Sequence, residues 1–110
     1  MNYYIVVEGS VEKKVYSKWI PLINPSLTQI NTLGEATQET FIIFDGGGYP
    51  SILDMIEDGI SDLTNSEMEY RLVIVIDSED MTREDKFNEI DTYIKSKTAG
   101  LVIDYKCKLY

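Results

Sequence analysis

A chain of 110 residues, 44% hydrophobic and 26% charged, has the length and balance of one folded domain. It holds no histidine and one cysteine, Cys107, which excludes Ser-His-Asp and Cys-His catalysis, imidazole or thiolate zinc sites and iron-sulfur clusters. Its formal net charge of -9 argues against gripping nucleic acid by phosphate neutralisation alone, so carboxylates, hydroxyls, lysines and hard divalent cations are the chemistry left.

The first element expected is a strand at residues 3–7, Tyr-Tyr-Ile-Val-Val, a continuous apolar run of the kind that is covered on both faces. It stops at Glu8-Gly9-Ser10. From Val11 the period lengthens: Val11, Val15 and Trp19, with Tyr16 and Ile20, predict an amphipathic helix with a core-facing stripe, capped by Ser10 and ended by Pro21. Residues 21–40 read as loop, with Leu27, Ile30 and Leu33 assignable to either a weak strand or a helical turn. Residues 41–44 predict a second buried strand, closing on Asp45 and a glycine run, Gly46-Gly47-Gly48. Pro50 suits the first turn of a helix whose buried face is Ile52, Leu53, Ile56, Ile60 and Leu63, and which carries the cost of Gly59, about 1 kcal/mol relative to alanine.

A third strand is expected at residues 72–76. It runs into an acidic exit, Asp77, Glu79 and Asp80, followed by Glu84 and Asp85. Thr82 with Asp85 matches a capping box for a helix bearing Phe87, Ile90 and Ile94. A fourth strand is expected from Leu101. The sequence stops soon after it, as an N-terminal fragment of a longer protein would.

Apolar strands alternating with amphipathic helices imply an α/β, Rossmann-like domain: about four mainly parallel strands sandwiched between helices. Right-handed crossovers bring every strand's carboxyl end to one edge, where such folds bind ligands. Glu8, Asp45, Asp77 and Glu79 all fall there. If the first and third long strands are neighbours, Glu8 faces Asp77 and Glu79 across about 5 Å. Carboxylates that close repel unless something positive joins them, and a magnesium or manganese ion is the simplest answer. Glu12 lies one turn beyond Glu8 and points back toward the same place, which makes a second ion feasible.

Other features have plainer explanations. Asp80, Glu84 and Asp85 suit the start of a helix. The glycine run lacks the Walker and dinucleotide spacings and reads as a tight turn, with Asp45 as a turn residue or a peripheral ligand. No apolar run approaches the length of a membrane span, so no membrane partner is expected, and the cytoplasm is the expected location.

The two segments "YYIVVEGSVEKK" and "RLVIVIDSED", an apolar strand ending in Glu-Gly with a second acid four residues on and an apolar strand ending in Asp-x-Glu, resemble a Toprim domain. The spacing of Glu8 and Glu12, with the "DGGGYPS" turn, is closest to OLD-family and small defence-associated Toprim nucleases. The resemblance implies magnesium-dependent phosphodiester cleavage, or the metal-binding part of such an enzyme. It implies Glu8 as general acid/base or metal ligand, Asp77 and Glu79 as the acidic pair, and Glu12 as a further ligand for one or two Mg2+ or Mn2+ ions. Glu79 departs from the commoner second aspartate, and the lysine that OLD nucleases supply after the fourth strand is assigned to neither Lys106 nor Lys108. DNA or RNA would be met through the metal, with basic surface from a homo-oligomer or an additional C-terminal region. The alternative is a non-catalytic module of the same fold that binds metal or a protein partner.

Overall fold

Strands that are apolar on both faces need cover on both, and the computed structural model arranges them accordingly; it describes residues 2–48, 50–65, 69–76, 82–97 and 105–109. The order is β1 (Asn2–Val7), α1 (Ser10–Ile23), β2 (Thr28–Gln29), a 3-10 turn (Leu33–Glu35), β3 (Thr40–Asp45), α2 (Ser51–Thr64), β4 (Tyr70–Ile76), α3 (Arg83–Lys97) and β5 (Tyr105–Leu109). The five strands form one sheet in the order β2-β3-β1-β4-β5, every pairing parallel. The expected α/β, Rossmann-like architecture is therefore the one observed, with β2 added as a two-residue edge strand. Residues 101–104, where the fourth long strand was expected to begin, lie outside the described residues.

Two clusters make the core, one on each face of the sheet. On one face Tyr4, Val6, Ile42, Leu72, Ile74 and Ile76 pack beneath α2, through Ile52, Ile56 and Ile60, and α3, through Ile90. On the other, Ile5, Val7, Phe41, Ile43 and Val75 meet Leu27 and, among the described helices, α1, through Tyr16 and Ile20. The alternation of neighbouring strand residues between the clusters follows from the two-residue period of a strand. α3 begins as expected: the Asp85 N–H donates to the Thr82 hydroxyl at 3.0 Å.

Three expectations for α1 are corrected. Val11 and Trp19 face solvent, 69% and 55% exposed, and are not core. Among the described helices α1 is the one that packs on this face, with Tyr16 and Ile20 reaching the cluster there, and Trp19 packs edge-on against Tyr16 with ring centroids 6.2 Å apart. The helix also runs through Pro21 to Ile23, since a proline in the last turn forfeits only one intrahelical bond; the Asn24 N–H closes the end on the Ile20 carbonyl at 2.9 Å. The cap is Gly9, in extended conformation, and Ser10 is the first helical residue.

Two close approaches explain glycines that propensity alone disfavours. A Cβ on Gly59 would lie 2.7 Å from Tyr4 Cε1, so α2 crosses β1 at a distance that only glycine permits. A Cβ on Gly46 would lie 2.5 Å from Ile52 Cγ1 and 3.0 Å from the Ile52 backbone. At the amino end of the sheet, Asn2 Oδ1 accepts from both the Thr40 N–H, 3.0 Å, and the Thr40 hydroxyl, 2.7 Å, joining β1 to β3 in a buried setting.

The Tyr70 hydroxyl is buried without a hydrogen-bond partner among the described residues. An unmet buried hydroxyl costs about 1–3 kcal/mol, so Tyr70→Phe is expected to raise stability by about 1 kcal/mol in chemical denaturation, instead of the usual loss. Burial also pushes the Tyr70 phenol upward; burial first, then the Asp62 carboxylate that it contacts at 3.1 Å, pushes the Tyr4 phenol well above its ordinary value. A phenol raised in the folded state contributes stability that is intact below the unfolded pKa, about 10, and is lost as pH climbs toward the folded value. The melting temperature should therefore fall above pH ~10, and fall less steeply in Tyr4→Phe.

Candidate functional site

The carboxyl edge of the sheet collects the acidic strand exits. β1 is flanked by β3 on one side and β4 on the other, with Val7 in register with Asp45 and with Val75. The chain leaves β1 toward β3 and returns across β1 to β4, so the connections diverge between β1 and β4, the switch point at which open α/β sheets bind ligands. Glu8 follows β1 directly, and β4 ends at Ile76, the residue before Asp77. The neighbour relation on which the acidic-site expectation depended is thus met. Asp77, Glu79 and Asp80 themselves lie outside the described residues.

Glu8 is half-buried, and its backbone carbonyl accepts from the Gly48 N–H at 2.6 Å. The Gly46 N–H likewise donates to the Val7 carbonyl at 2.8 Å, so the turn after β3 is fastened to the exit of β1. That turn requires glycine at Gly47 and Gly48, whose φ angles are +73° and +86°. Asp45 stabilises it by accepting from the Gly47 N–H at 2.8 Å, so the turn-residue alternative for Asp45 describes what it does here.

Glu12 folds over Gly9, the cap of its own helix. Its Oε2 lies 3.1 Å from where a Cβ on Gly9 would stand, so Gly9 leaves room for a carboxylate beside the exit of β1. Among the described residues no group of three or more Asp, Glu, His or Cys side chains comes together in a metal-sized cluster. Glu8 and Glu12 supply hard oxygen donors of the type magnesium and manganese accept.

A set of residues that the acidic pattern did not single out also lies here. Ser10, Lys13, Lys14, Ser17 and Lys18 of α1 line an open cleft of about 550 Å³, together with Asp45. Their spacing, three and four residues apart, marks one helical stripe that is present in the sequence beside the apolar one. No described helix is long and apolar enough to cross a membrane. Compared with protein-family models, curated proteins and solved structures, the chain matches none, so the meaning of this edge is carried by its own residues.

Proposed function

We propose that the carboxyl edge between β1 and β4 is a magnesium- or manganese-dependent centre that cleaves phosphodiester bonds of nucleic acid, in the manner of the OLD-type Toprim nucleases that the sequence resembles. The observation that carries the reading is the adjacency of β1 and β4. It brings the exit at Glu8 alongside the strand that leads into Asp77 and Glu79, at the switch point of the sheet.

One or two cations held by Glu8, Asp77 and Glu79, with Glu12 beside them, would lower the pKa of a water molecule and balance charge developing on the phosphate. The chain's own part is to set those carboxylates on rigid strand ends and to fix the exit of β1 through the Gly46 and Gly48 N–H bonds. Glu8, next to the end of β1, is the group best held to orient a ligand or to take a proton from the attacking water. The reaction is assigned to the cytoplasm, where a single unpaired cysteine is at home.

A second reading, a metal-holding module that docks onto a partner protein, is favoured by the exposed apolar flank of α1, where Leu22 and Ile23 are 79% and 80% exposed. Cleavage of labelled single-stranded and plasmid substrates with Mg2+, Mn2+ or chelator separates the two. Metal-dependent cleavage abolished by Asp77→Ala supports the nuclease; metal binding with no cleavage of any substrate selects the module.

A further inference from the structure

The charge of this protein is strongly uneven. α2 carries Asp54, Glu57, Asp58 and Asp62 and no cationic side chain, whereas α1 carries Lys13, Lys14 and Lys18 against Glu12. These helices lie on opposite faces of the sheet, so a net charge of -9 conceals one cationic helix. A polyanion repelled by the molecule as a whole is steered toward α1.

The cleft on that face presents groups that can meet an anion. Three lysines and the hydroxyls of Ser10 and Ser17 line it, opposed by the single carboxylate of Asp45, one oxygen of which is already engaged by the Gly47 N–H. Ser17 Oγ accepts from Gln29 Nε2 at 3.0 Å, which leaves its own proton free to donate. None of the three ammonium groups has a carboxylate partner among the described residues. Lys13 to Lys18 cover about 7.5 Å of helix at 1.5 Å per residue, about two steps of a strand rising about 3.4 Å per nucleotide and so the reach of three successive phosphates. Asp45 is in register with Val7, immediately before Glu8, so the cleft adjoins the exit of β1.

We propose that the Lys13-Lys14-Lys18 cleft is a phosphodiester-backbone subsite that holds a single nucleic-acid strand beside the carboxyl edge. Its placement next to a cleavage centre rests on the function proposed above; its binding of the strand does not, because lysine-phosphate contacts need no metal. The cleft also supplies, within this chain, the basic surface that the overall charge alone would assign to a partner.

The test is fluorescence anisotropy with labelled 20-mer oligothymidylate and oligouridylate in chelator, titrated across salt concentrations. Wild type is expected to bind at low salt, and the Lys13→Gln/Lys14→Gln/Lys18→Gln variant to bind at least tenfold more weakly. Its log-log salt slope should fall by about 2, the value for three phosphate contacts to a single strand. A triple arginine variant should retain binding, and Lys95→Gln on α3 should leave it unchanged. The stronger of the two oligonucleotides identifies the strand. Absence of wild-type binding at low salt, equal binding by the glutamine variant, or binding only to anionic phospholipid vesicles would overturn the proposal. The wild type distinguishes the two ideas: strand binding in chelator without any metal-dependent cleavage would remove the cleavage centre and leave the subsite standing.

Discussion

Glu8→Gln is expected to reduce magnesium-dependent cleavage of a single-stranded substrate by roughly 10²–10⁴-fold, the range by which positioned acid-base groups act. The substitution keeps the size of the side chain and one acceptor oxygen, replaces the other with an NH2 donor, and removes the charge that a cation or a proton needs. The Glu8 carbonyl bond to Gly48 belongs to the backbone and survives the change, so circular dichroism and melting temperature should stay near those of wild type. Initial rates under saturating metal, compared with those of the parent protein, check this. A loss confined to rate, with strand binding intact, assigns Glu8 to the chemistry and not to substrate capture.

Gly46→Ala is expected to destabilise the fold by about 1–3 kcal/mol, the usual cost of forcing an extra methyl into a packed site. The added Cβ would meet Ile52 on its side chain at 2.5 Å and 2.8 Å and on its backbone at 3.0 Å. Ile52 is fully buried beneath the first turn of α2, so it cannot swing aside. Relief therefore requires α2 to shift or the turn to lift from β1, where the Gly46 N–H bonds the Val7 carbonyl. The first response lowers stability and the second moves the exit of β1. Thermal denaturation should show a fall of roughly 4–8 °C for each kcal/mol lost. Gly47→Ala makes a useful comparison, since its Cβ has room but its positive φ is strained, with a cost of about 1 kcal/mol.

The long buried elements were legible in the sequence because their signals are redundant. The runs in β1, β3 and β4 are apolar at consecutive positions, which only a strand covered on both faces tolerates, and Ile52, Ile56 and Ile60 repeat at the helical period. α1 shows the limit of periodicity. Val11, Val15 and Trp19 make a clear stripe, yet the helix turns Tyr16 and Ile20 to the sheet. Both choices share a helical period, and the difference lies in how many neighbours cover that face of the sheet, which a single helix's pattern does not encode. The stretch around β2 reads as either a weak strand or a helical turn for a related reason: two residues, Thr28 and Gln29, pair with Thr40 and Phe41 on an edge, and so short a strand has no period to detect.

The candidate site was legible in part. Strand ends in an alternating β/α chain reach one edge by topology, so Glu8, Glu12 and Asp45 could be located there before any coordinate. Asp45 proved to hold the glycine turn, and Glu12 proved to lie over Gly9. The lysine cleft was overlooked because net charge averages over faces: the acids of α2 outweigh the lysines of α1 in the total, although the sheet keeps the two helices apart.

The central claim is that acids from β1 and from the residues after β4 share a divalent cation. Calorimetric titration of Mn2+ into wild type, Glu8→Gln, Asp77→Asn and the double variant tests it most directly. Millimolar or tighter binding that each single variant weakens, with the double variant losing less than the two losses combined, is the predicted result, since both residues would serve one ion. Absence of wild-type binding in the millimolar range, or binding that neither substitution changes, would contradict the account.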